Sequence, residues 1–167
     1  MSRWSVLEFF LAQLYGVLVS SRRGSAEAGY GLIIALPTRI EMLKAAIDWV
    51  LWPDTHPLVL ELITTLNQIA KLGARRNEIA HGMSMGFWGS GVQGVFLSPS
   101  TANSKKTDWR SHKAPNPTRS HPFNHFAFVY TSAQIIGYAI VFEDYQSKLG
   151  TLIERVQKEF AEKLAHP

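Results

Sequence analysis

The chain of 167 residues contains no cysteine. Disulfides, thiolate metal sites and thiol nucleophiles are therefore excluded, and a reducing compartment is permitted. A membrane-spanning run is missing too. Trp4 to Val19 is strongly apolar, but Glu8 and Gln13 interrupt it and it falls short of the roughly 18 to 20 residues a span requires. With no small-residue cleavage site after it, this stretch reads as a core helix rather than a signal segment or anchor, so no membrane partner is expected and the expected address is cytoplasmic. The glycines between Gly86 and Gly94 lack the lysine and the strand-to-helix setting of a phosphate loop, which leaves nucleotide hydrolysis without support. Ser84, Ser90 and Ser98 have no flanking pattern that would supply a base or an oxyanion hole. His112, His121 and His125 have neither cysteine partners nor helical spacing, with Pro122 between the last two, so no metal is expected and no cofactor.

What is present describes a folded protein. An apolar fraction of 46% and a charged fraction of 18% are those of a globular chain, and the length suits one domain spanning residues 1–167. The net charge of +4 leans toward polyanionic partners. Its distribution is uneven: between Ser98 and His125 the chain carries Lys105, Lys106, Arg110, Lys113 and Arg119 against Asp108 alone, an excess equal to that of the whole protein. With Trp109 among them, these cations suit RNA, through phosphate contacts and one stacked base. Pro, Ser and Asn surround them, and the segment reads as a long exposed loop.

Elsewhere the periodicity is helical. One helix is expected from Trp4 to Ser20 and a second from Glu27 to Leu51, where Leu36, Ile40, Leu43, Ile47 and Val50 recur on one face but Gly29, Gly31 and Pro37 weaken the first part. A third is expected from Leu58 to His81, with Asp54 or Thr55 as N-cap and a proline in its first turn. Val92 to Leu97 suggests a short strand or hairpin edge. Thr131-Ser132-Ala133-Gln134 fits a capping box, with Tyr130 and Ile135 placed as a hydrophobic staple, and opens a long last helix running to about Leu164. The expectation is an all-α fold: a four- to five-helix up-down bundle with a long irregular insertion before the last helix.

The stretch Arg76-Asn77-Glu78-Ile79-Ala80-His81-Gly82 closes the third helix and carries the chemistry. Arginine is a permanent cation able to grip a phosphate in bidentate fashion, and histidine exchanges protons near neutral pH. On an ideal wheel of about 100° per residue, Arg76, Asn77, Ala80 and His81 continue the apolar arc of Leu58, Leu62, Leu66 and Ile69, while Arg75 and Glu78 fall on the solvated side. Polar groups on a core-facing arc are costly unless paired or wet, so this helix end is expected to border a cleft or a partner surface. The same residues would equally suit cations resting at the negative end of a helix dipole.

In these seven residues the chain resembles the HEPN superfamily of small helical proteins, whose signature is an arginine, usually a polar residue next, and a histidine after four to six intervening positions near a helix end. The resemblance implies a metal-independent endoribonuclease, cleaving RNA by attack of its 2′-hydroxyl and acting as a homodimer with both motifs lining one cleft. Many such proteins are toxins of toxin–antitoxin or phage-defence systems, partnered by a nucleotidyltransferase-like antitoxin. Carried over, Arg76 would bind the scissile phosphate, His81 would manage protons, and Asn77 would orient either His81 or the RNA. Some members carry a tyrosine two positions after the histidine as a target of modification; here that position is Met83. The alternative implied by the same resemblance is a non-catalytic module for dimerisation or for binding RNA or a partner.

Overall fold

A computed structural model describes residues 2–19, 24–51, 55–89, 92–98 and 130–161. The fold is all-α, with five helices and one two-stranded hairpin among these residues: α1 (Arg3–Leu18), α2 (Ser25–Gly31), α3 (Leu36–Val50), α4 (Pro57–Ala80), β1 (Met83–Gly89), β2 (Val92–Ser98) and α5 (Ser132–Glu159). They group into two compact units, one of residues 1–73 with 140–167 and one of residues 74–139. Among the described residues no helix is long and apolar enough to cross a membrane.

The first unit is helix packed on helix. Along α1, Trp4, Leu7, Leu11, Leu14 and Leu18 are buried at alternating spacings of three and four, as a core helix requires. Ser2 caps it, accepting a hydrogen bond from the Ser5 amide at 3.2 Å. The Trp4 ring meets Phe142 of α5 edge-on at 5.1 Å, and Arg3 pairs with Glu143 at 2.8 Å. From α4, Leu58, Leu62, Leu66 and Ile69 are fully buried, and Glu61 draws in Arg155 of α5 at 2.7 Å. Phe142, Leu149, Leu152 and Val156 of α5 are buried, as is Phe160 just past its end. Gly73 lies where Leu36 and Trp4 come so close that a Cβ would run into the Leu36 side chain.

The single helix expected from Glu27 to Leu51 is two helices, α2 and α3, separated at residues 32–35. Pro37 has no amide proton to offer the Ile33 carbonyl four residues earlier. The Arg39 guanidinium takes that carbonyl instead through Nε, donates to the Gly31 carbonyl at 3.0 Å and pairs with Glu8 at 3.2 Å. One side chain thus takes the carbonyl that the proline leaves open together with that of Gly31 at the end of α2. The N-cap of α4 also differs from expectation: it is His56, whose Nδ1 accepts from the Leu58 amide at 3.3 Å, with Pro57 in the first helical position.

The second unit holds the last turns of α4, the hairpin and the start of α5. The strands pair antiparallel from Met83 with Ser98 to Gly89 with Val92. Of the two, only Val92 to Leu97 has a strand signature in sequence; β1 is hidden by Gly86 and Gly89, which take positions opposite Val95 and Val92 in the register. Tyr130 then adds one rung to β2, exchanging two backbone hydrogen bonds of 2.9 Å with Leu97. The capping box is present: the Thr131 amide donates to Gln134 Oε1 at 2.8 Å, and Thr131 Oγ1 accepts from the Gln134 amide at 3.4 Å. Thr131→Ala is expected to cost about 1 kcal/mol, read by calorimetry as a melting temperature lower by roughly 2–4 °C.

Candidate functional site

The helix that carries the motif ends where expected. The His81 amide donates to the Asn77 carbonyl at 3.0 Å and the Gly82 amide to the Ile79 carbonyl at 3.4 Å, after which the chain enters β1 at Met83. Which face is buried, however, is the reverse of the wheel's continuation. Asn77, Ala80 and His81 are exposed and Arg76 is half-buried, whereas Glu78, placed by the wheel among solvated residues, is only 8% exposed. The wheel extends the arc of Leu58 to Ile69 past the turns that share its packing. At the helix end a different neighbour, Tyr130, comes against the other face and turns the buried side with it.

Glu78 is held from two directions. Its carboxylate accepts from Arg75 Nη1 at 2.9 Å and from the Tyr130 hydroxyl, and Arg75 also donates to that hydroxyl oxygen at 3.4 Å. The Tyr130 ring in turn meets Tyr138 edge-on at 5.9 Å. Burial and the hydrogen bond to Glu78 raise the Tyr130 phenol well above its usual value, with Arg75 opposing. Burial works against the Arg75 charge, but the bonds to Tyr130 and Glu78 and the field of Glu78 outweigh it, so Arg75 holds its proton more tightly than usual. Neither Glu78 nor Tyr130 stands out in sequence as part of the site. The available signal is the need of a buried tyrosine hydroxyl for a partner, which the staple reading of Tyr130 leaves unmet.

The two arginines are therefore distinct. Arg75 is committed to a carboxylate. Arg76 donates from Nη1 to the Asn77 amide oxygen at 2.9 Å, a neutral partner, and among the described residues it pairs with no carboxylate. Its positive charge is oriented without being cancelled. No hydrogen bond joins the Asn77 carboxamide to the His81 imidazole among the described residues, so the carboxamide steadies the guanidinium. His81, five residues and about 7.5 Å of helix rise beyond Arg76, stands exposed at the same helix end. Arg76 is thus half-buried while Asn77 and His81 are exposed, all three on the last turns of α4 or the residue just past it.

Lys105, Lys106, Trp109, Arg110, Lys113 and Arg119 lie outside the described residues, as do His112, His121 and His125. Among the described residues no cluster of histidine and carboxylate side chains is arranged to hold a metal ion.

The raised phenols carry a pH dependence. Tyr30 is displaced in the same direction as Tyr130, first by burial and then by Glu8, against the pull of Arg39. A phenol raised by folding stabilises the native state fully below its unfolded value near 10, and that contribution is lost as pH rises toward the folded value. Stability is expected to fall above about pH 10, and Tyr30→Phe and Tyr130→Phe are each expected to reduce that fall. Neither substitution should change the phenolate absorbance gained by the folded chain up to about pH 11; ultraviolet titration checks this.

No family model matches the chain, and a search of curated proteins and one of solved structures likewise found no match.

Proposed function

We propose that the chain is a metal-independent endoribonuclease of the HEPN type that cleaves single-stranded or loop RNA. The observation that carries this reading is the division of labour on the last turns of α4: Glu78 occupies Arg75, while Arg76, steadied by neutral Asn77, and exposed His81 remain for a ligand. RNA supplies its own nucleophile. His81 takes the proton of the 2′-hydroxyl as its oxygen bonds to phosphorus. Arg76 stabilises the doubly charged phosphorane, and the 5′-oxygen departs with a proton returned by an imidazole, leaving a 2′,3′-cyclic phosphate and a 5′-hydroxyl. In a homodimer, the second His81 would stand ready as the acid. A cytoplasmic toxin held in check by a nucleotidyltransferase-like antitoxin is the physiological setting this proposal favours. The basic residues between Ser98 and His125 would add phosphate contacts.

The test is incubation of the purified chain with RNA in chelator. Cleavage is expected to leave cyclic phosphate ends, and a strand with 2′-deoxyribose at the cut position is expected to be inert. Cleavage of that strand would overturn the mechanism, and RNA binding without cleavage would favour the non-catalytic module.

A further inference from the structure

We infer that Glu78 is the positioning residue of this site: its carboxylate, gripped by Arg75 and Tyr130, fixes the helix turn from which Arg76 and His81 project. The inference rests on the ribonuclease reading for what the site does, but on geometry alone for what holds it.

The last turn of a helix lacks onward hydrogen bonds and tends to fray, which is a poor place for groups that must meet a phosphate accurately. Glu78 lies two residues after Arg76 and three before His81, and it is buried while Asn77, Ala80 and His81 are exposed. A buried carboxylate is tolerable only when its oxygens are well bonded, and Arg75 and Tyr130, which bond it here, belong to the same structural unit. Tyr130 is itself fixed: its backbone pairs with Leu97, β2 pairs with β1, and β1 begins at Met83, two residues past His81. The chain therefore closes a circuit from Glu78 through His81, the hairpin and Tyr130 back to Glu78. His81 sits between two anchored points of that circuit, and the Glu78 side chain is buried beneath the surface on which His81 is exposed. The same carboxylate neutralises Arg75, so that a bound phosphate meets the charge of Arg76.

The experiment compares wild type, Glu78→Gln, Tyr130→Phe and the exposed-face control Lys71→Ala, with kcat and KM for RNA cleavage, the NMR signals of the His81 imidazole, and amide exchange at Ala80 and His81. Glu78→Gln keeps the shape and removes the charge. It is expected to lower kcat by about 10- to 100-fold at unchanged KM, to shift the His81 ring signals and to speed exchange at both amides. Tyr130→Phe is expected to do the same to a smaller extent and serves alone if Glu78→Gln does not fold, while Lys71→Ala leaves every reading unchanged. A folded Glu78→Gln protein with wild-type kcat would overturn the inference. If the wild type cleaves no RNA, the ribonuclease reading fails separately and the spectroscopic arm decides: displaced His81 signals and faster exchange uphold the positioning role, and unmoved ones end it.

Discussion

His81→Ala is expected to slow RNA cleavage by about 100- to 10,000-fold, the usual worth of a positioned acid–base group, with no change in thermal unfolding. The two halves of that expectation have different sources. The loss in rate follows from the proton that must leave the 2′-hydroxyl as the new bond forms. The unchanged stability follows from the exposure of His81, one residue beyond the end of α4. Arg76→Ala is expected to cost about 100- to 1,000-fold in kcat, as when a single oxyanion donor is removed. Arg76→Lys is expected to recover only part, because an ammonium cannot both hold the Asn77 oxygen and span two phosphate oxygens. Single-turnover kinetics beside binding titrations separate the roles: a residue acting on the transition state lowers the rate and leaves affinity nearly intact. An equal loss of affinity in His81→Ala would point to an anion-binding surface. Arg75→Ala, by contrast, should disturb the site through the bonds Arg75 makes to Glu78 and Tyr130.

The second large effect concerns stability. Leu62→Ala is expected to destabilise the protein by about 2–5 kcal/mol, lowering the melting temperature by on the order of 10 °C. Leu62 is fully buried on the face of α4 that also carries Leu58, Leu66 and Ile69. Its removal deletes transfer free energy and leaves a cavity that these neighbours close only in part. Leu60, two positions earlier on the same helix, is 55% exposed, and Leu60→Ala is expected to stay within about 0.5 kcal/mol. Helix propensity treats both leucines alike, so the contrast isolates burial. Urea melts with similar slopes and a shifted midpoint for Leu62→Ala alone would bear this out, and equal effects at the two positions would contradict the assigned face.

Much of this fold is legible in the amino-acid order, wherever local chemistry and packing agree. The stripe of α1, the capping box before α5 and the proline at the start of α4 are strong local signals that the structure repeats. The break between α2 and α3 is signposted by Gly29, Gly31 and Pro37, but the device that makes it tolerable, Arg39 on the carbonyls of Gly31 and Ile33, joins an α3 side chain to the backbone of the α2 end and of the connection after it. The β1 strand is harder still, because its glycines mean strand only in the presence of their partners on β2.

The candidate site shows the same limit more sharply. Arg76, Asn77 and His81 can be named from type and spacing alone. The burial of Glu78 cannot, since it involves Tyr130, a residue 52 positions away. A helical wheel assumes one environment along the whole helix, and α4 has two. The consequence is one misplaced residue: the wheel puts the Glu78 carboxylate in solvent where the structure buries it, whereas Asn77 and His81, on the face expected to border a cleft or a partner surface, are exposed.

The rung between Leu97 and Tyr130 has a further consequence. It brings together the points where the chain departs after β2 and rejoins before α5. Both of its bonds are made by backbone groups, so the joint between the hairpin and the start of α5 depends on no particular side chain.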